Sequence, residues 1–109
     1  MSTIEDHETT KKMLLELGIP VHRVGYKLLC EAVPQYAADD WQTATKDLYP
    51  SLAKRFGLTN GNAAERPIRC AIAAAWKNRD PAVWAQYFPR QEKVPSNMVF
   101  IATLAERLK

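Results

Sequence analysis

The 109 residues suffice for one domain with a real hydrophobic core, without disulfide or metal staples. At 47% hydrophobic and 25% charged residues the chain has the composition of a folded globular protein, which excludes wholesale disorder, and its longest apolar stretch, Ala71 to Trp76, is too short to span a bilayer. The net charge of +3 is unevenly placed: residues 1–48 carry five basic and eight acidic side chains, residues 49–109 ten basic and four acidic, which points the second half toward a polyanion.

The N-terminus, Met1 to Asp6, is acidic and has no apolar run, so it does not read as a secretory signal, and a cytoplasmic location is expected. A first helix is predicted over residues 4–17. Glu5, Asp6 and Glu8 suit its positive end, Met13, Leu14 and Leu17 form its apolar stripe, and Gly18 with Pro20 stops it. A second is predicted from Val21 to Val33, burying Val24, Leu28, Leu29 and Ala32, with Pro34 ending or kinking it. Asp39 or Asp40 is expected to cap a third helical stretch through Trp41, Ala44 and Leu48. Pro50 suits the first position of a short helix, Ser51 to Phe56, closed by Gly57.

Leu58 to Asn62 is a turn by composition, and an alanine-rich helix follows over about 63–77. Asp80-Pro81 opens a helix carrying Val83, Trp84 and Phe88; residues 89–95 form a basic loop. Ser96 caps the last helix, with Val99, Phe100, Thr103, Leu104 and Leu108 as its stripe. Nothing alternates with the period of a strand, so the predicted fold is all-α: a compact bundle of six helices, seven if short turns count.

Residues 48–77 have the layout of a helix-turn-helix. Leu52, Ala53 and Phe56 supply one buried face, and Ile68, Ile72, Ala75 and Trp76 the other. Glu65, Arg66 and Arg69 are left outside, with the two arginines three residues apart on one side. An arginine fork grips guanine O6 and N7, and a glutamate accepts from the amino group of cytosine, so these three are the candidate base readers. Lys54, Arg55, Lys77 and Arg79 flank them as candidate phosphate contacts, with Asn62 at the helix start.

Several motifs, in order, resemble one known family. They are Leu17-Gly18-Ile19-Pro20-Val21-His22 with Gly25-Tyr26, then Leu48-Tyr49-Pro50-Ser51-Leu52-Ala53-Lys54-Arg55-Phe56, then Glu65-Arg66-x-Ile68-Arg69-x-Ala71-Ile72 into Ala75-Trp76, and Pro95-Ser96-Asn97-x-x-Phe100-Ile101-Ala102. Together they resemble the C-terminal DNA-binding effector domain of the sporulation response regulator, stage 0 sporulation protein A. The resemblance implies a six-helix fold, double-stranded DNA as partner, and a short DNA box containing a C-G step. It also implies tandem pairing of copies through the last helix, and contact with the sigma subunit of RNA polymerase. By position, Glu65, Arg66 and Arg69 match the family's recognition residues.

The chain departs from the family where its recognition helix opens Ser-Arg-x-Glu-Arg: Asn62 and Ala63 stand at the first two positions, so one arginine contact is lost. Pro67 stands where alanine is usual, and the turn is about one residue longer. Pro67 implies either a helix that starts later, near Glu65 and Arg66, with Pro67 in its first turn, or one kinked between the two arginines; the later start is expected, because a proline in a helix interior costs about 3 kcal/mol. No receiver domain precedes the effector region in this reading, which takes residues 1–109 as a single domain.

The remaining residues carry no case for an enzyme. There is no Gly-rich phosphate loop, Ser-His-Asp set or Cys-His pair, and no cofactor or metal is expected. His7 reads as exposed and His22 as a helix-start residue, Cys30 and Cys70 as buried thiols, Tyr49 as packing, and Trp41, Trp76 and Trp84 as core anchors. Two function classes follow: a sequence-specific transcription regulator, or a protein-interaction module that has lost base reading and modulates a full-length relative or RNA polymerase. Pro67 and Ala63 favour the second.

Overall fold

The computed structural model describes residues 4–39 and 48–108. Among them are six helices and no strand: α1 (Ile4–Glu16), α2 (Val24–Asp39), α3 (Tyr49–Arg55), α4 (Asn62–Lys77), α5 (Pro81–Tyr87) and α6 (Asn97–Glu106). The all-α fold expected from the sequence is the observed one. The helical stretch expected to be capped by Asp39 or Asp40 and to run through Trp41 and Ala44 lies outside the described residues.

Local chemistry sets most helix ends. Gly18 adopts φ +82 after α1, its N–H donating to the Leu15 carbonyl while Ile19 N–H reaches Leu14. Gly57 repeats this after α3 at φ +66, with Gly57 N–H on Lys54 and Leu58 N–H on Ala53. The pattern satisfies terminal carbonyls and needs a residue free of a Cβ in the left-handed region. Asp80 accepts from Ala82 N–H ahead of Pro81, and Ser96 Oγ accepts from Val99 N–H, as expected for both caps. Each such cap stabilises by about 1 kcal/mol.

The prolines behave otherwise. Pro34 does not end α2, which runs on to Asp39, nor does α2 begin at Val21. Pro34 is itself buried, Val33 is fully buried, and Tyr36 and Ala37 pack on the core. Burying an apolar side chain contributes about 1.5–3 kcal/mol, enough for a few of them to offset one broken helical hydrogen bond.

Helix α2 is the centre of the bundle, packed against α1, α3, α4 and α6. Leu28, Leu29, Ala32 and Val33 are inaccessible to solvent and meet Leu14, Leu52, Ile68, Phe100 and Leu104 in one core. Trp84 carries α5 into it: its ring lies 5.4 Å from Trp76, 5.4 Å from Phe88 and 6.0 Å from Phe100, and its Nε1–H donates to the Leu17 carbonyl at 3.0 Å. Trp84 is therefore a buried anchor, Trp76 a half-buried one, and Trp41 is outside the described residues.

Some side chains expected inside are outside. Val24, Phe56 and Val99 are exposed. Val24 is the first residue of α2, Phe56 lies past the last turn of α3, and on α6 the inward places belong to Phe100, Ile101, Leu104 and Ala105. Cys30 is buried, which pushes its thiol pKa up, but Cys70 is exposed, contrary to expectation. His7 is not free in solvent: its Nε2 lies 3.3 Å from Glu31 Oε2, a carboxylate that also pairs with Arg55 Nε at 3.3 Å.

Candidate nucleic-acid interface

The turn between α3 and α4 presents the N-terminal half of α4. Asn60 Oδ1 accepts from Ala63 N–H at 3.2 Å, and the Gly61 carbonyl accepts from Ala64 and Glu65, so the helix winds from Asn62. The expectation of a later start near Glu65 is therefore corrected, and Pro67 sits in the interior of α4 rather than in its first turn. Two neighbours hold it there. The Pro67 carbonyl abuts α2 so closely that a Cβ on Gly25 would lie 2.3 Å from it, and Ile68, the next residue, is fully buried. Tertiary packing decides this backbone against the local preference.

The buried side of α4 is Ala64, Ile68, Ala71, Ile72 and Ala75. Winding at 3.6 residues per turn then leaves Asn62, Arg66, Arg69 and Cys70 exposed and Glu65 half-exposed. Together with Ala63 and Pro67 they line an open recess of about 670 Å3. Three sequence-predicted base readers and Asn62 are thus brought together. Arg69 Nη1 donates to Glu65 Oε1 at 3.0 Å, a pair one helical turn apart that orients the guanidinium along the face. Arg66 is exposed and forms no side-chain hydrogen bond or ion pair among the described residues, which leaves its five guanidinium donors available to a ligand.

The expected phosphate contacts are dispersed. Lys54 and Arg55 are exposed at the end of α3, Arg55 being tied to Glu31. Lys77 is exposed at the far end of α4, about 16 Å along the axis from Arg66 at 1.5 Å per residue. Arg79 stacks on the Trp76 ring at 3.7 Å and donates to the Trp76 carbonyl at 2.8 Å, so much of its guanidinium is already engaged within the fold.

Sequence reasoning missed two members of the site. Cys70 shares the face of Arg66 because it lies four residues on, a spacing that was open to inspection. Asn97 gave no signal: the first residue of α6 is 8% exposed, and its Nδ2 donates to the Glu65 carbonyl at 3.0 Å. Tyr49 of α3 completes the cluster. Burial pushes its phenol above the ordinary value of 10.0; hydrogen bonding by the Asn97 amide opposes the rise, the Glu65 carboxylate adds to it and Arg69 opposes it.

Among the described residues no helix is long and apolar enough to cross a membrane, and no group of His, Cys, Asp and Glu is arranged to hold a metal ion. What the face offers is an exposed helix with two arginines, a carboxylate and a recess between them. Residues 10–108 match the family described as sporulation initiation factor Spo0A C terminal. The match spans nearly the whole chain, including all six helices apart from the first turns of α1, and the family is one of DNA-binding transcription-regulator domains, not of enzymes. The chain therefore belongs to the sporulation initiation factor Spo0A C-terminal family.

Proposed function

We propose that this chain is a single effector domain that binds a specific double-stranded DNA site through a helix-turn-helix spanning about residues 48–77. In this reading α4 enters the major groove. Arg66 and Arg69 grip guanine edges, and Glu65 accepts from cytosine while steadying Arg69. Asn62, Lys54 and Arg55 meet phosphates near the turn, and Lys77 and Arg79 do so from the other end of α4. The observation that carries the reading is the Glu65–Arg69 pair beside exposed Arg66, which has no side-chain partner among the described residues, on a helix whose opposite side is buried. Tandem copies pair through α6, where Val99 is exposed, and the sigma subunit of RNA polymerase is the protein partner that the family suggests.

The test is fluorescence anisotropy with a duplex carrying the family's box against a scrambled duplex, at two salt concentrations. Box preference is expected, and Arg69→Ala should reduce it by about 1–3 kcal/mol, relaxing one base pair. Lys54→Ala should weaken both duplexes alike and flatten the salt dependence. Equal affinity of the parent for both duplexes would refute specific reading. The second reading, an interaction module without base reading, would then stand, and Pro67 inside α4 is the feature that favours it.

A further inference from the structure

We propose that Asn97 is a positioning residue for the reading face, its side-chain amide setting the pose of the Glu65–Arg69 turn and so the discrimination between DNA sequences. The inference rests on the reading of DNA by α4 given above.

Pro67 has no N–H, so the Ala63 carbonyl lacks its donor four residues on, and the first half of α4 is short of one internal hydrogen bond. That half carries Arg66 and Arg69. Its geometry is instead held from outside by two other helices. At Pro67, α2 presses in through Gly25. At Glu65, Asn97 Nδ2 of α6 donates to the main-chain carbonyl at 3.0 Å.

Asn97 is a buried polar side chain, which is unfavourable unless its hydrogen bonds are made. The Tyr49 phenol lies beside the same amide. Base reading needs donors held within about 0.5 Å and 10–20° of the productive pose. A brace on the Glu65 carbonyl acts on that pose directly, because Glu65 also holds Arg69 through its carboxylate.

The test has one arm without DNA and one with it. Without DNA, amide hydrogen exchange in Asn97→Ala should speed up about fivefold at Arg66, Ile68, Arg69 and Cys70, with α5 unchanged. With DNA, preference for the box over the scrambled duplex should fall about three- to tenfold, the worth of one hydrogen bond. Affinity for the scrambled duplex and its salt dependence should stay as in the parent, which loss of folded protein would not allow. In a chain already lacking both Arg66 and Arg69 as alanines, Asn97→Ala should lower preference no further. Tyr49→Phe, which keeps the ring and removes the hydroxyl beside the amide, should move preference the same way by about twofold, and serves if Asn97→Ala does not fold. Unchanged exchange in α4, or undiminished preference in Asn97→Ala when the parent prefers the box, overturns the inference alone. A parent with no preference refutes the proposed function, and the inference falls with it; accelerated exchange in α4 would then show that the brace itself was real and the DNA reading was at fault.

Discussion

Gly25→Ala sets two effects against each other with opposite signs. Gly25 lies in the first turn of α2 without a positive φ, so alanine there should gain up to about 1 kcal/mol in helix propensity. A Cβ, however, would lie 2.3 Å from the Pro67 carbonyl oxygen, 2.6 Å from Ala71 Cβ and 2.9 Å from the Pro67 carbonyl carbon. None of these is the tip of a flexible side chain, so relief requires α2 and α4 to move apart. Overpacking of this kind costs about 1–3 kcal/mol, and backbone neighbours put it at the upper end. The net loss is about 2 kcal/mol, which for a domain of this size lowers Tm by about 9 °C. Thermal unfolding followed by circular dichroism measures it, with Gly61→Ala as the control. At Gly61 the nearest atoms to a new Cβ lie at 3.4 Å, so little change is expected. A Gly25→Ala protein at least as stable as the parent would refute the claim that α2 and α4 are in rigid contact at Pro67.

Further outcomes are expected from the packing and exposure of single side chains. Trp84→Phe removes the buried donor to the Leu17 carbonyl and part of a packed ring, and should destabilise by about 2 kcal/mol in urea titrations; a loss under about 0.5 kcal/mol would mean that the bond holds nothing together. Cys70 should react with an aromatic disulfide reagent in the native protein and Cys30 only on unfolding, since burial both shields Cys30 and raises its pKa; two fast thiols would contradict the packing of α2. Tyr49 stays protonated in the fold above 10.0, where the unfolded chain has begun to lose that proton, so its contribution is intact below pH 10 and is lost as pH rises beyond it. Tyr49→Phe should accordingly show a shallower loss of stability above pH 10, and identical alkaline unfolding curves would remove Tyr49 as a cause.

The sequence by itself determined those features that depend on a few neighbouring residues. Gly18 and Gly57 after α1 and α3, and Asp80-Pro81 and Ser96 before α5 and α6, act through hydrogen bonds within five residues, so their effect is legible without a fold. The outward set Glu65, Arg66 and Arg69 was equally legible, because the apolar spacing of Ile68, Ile72 and Ala75 places them opposite the core. Tertiary structure alone decided where local preference and packing compete. Pro34 reads as ending or kinking its helix and Pro67 as a first-turn residue, yet both lie in helix interiors, because burial of the residues around them outweighs one missing hydrogen bond. Val24, Phe56 and Val99 are apolar and exposed, because each sits at a helix end or on a side that no other described helix covers. The union of Asn97 with Glu65, 32 residues apart, and of Gly25 with Pro67, 42 apart in number, has no local signature, for it exists only once α2, α4 and α6 have packed.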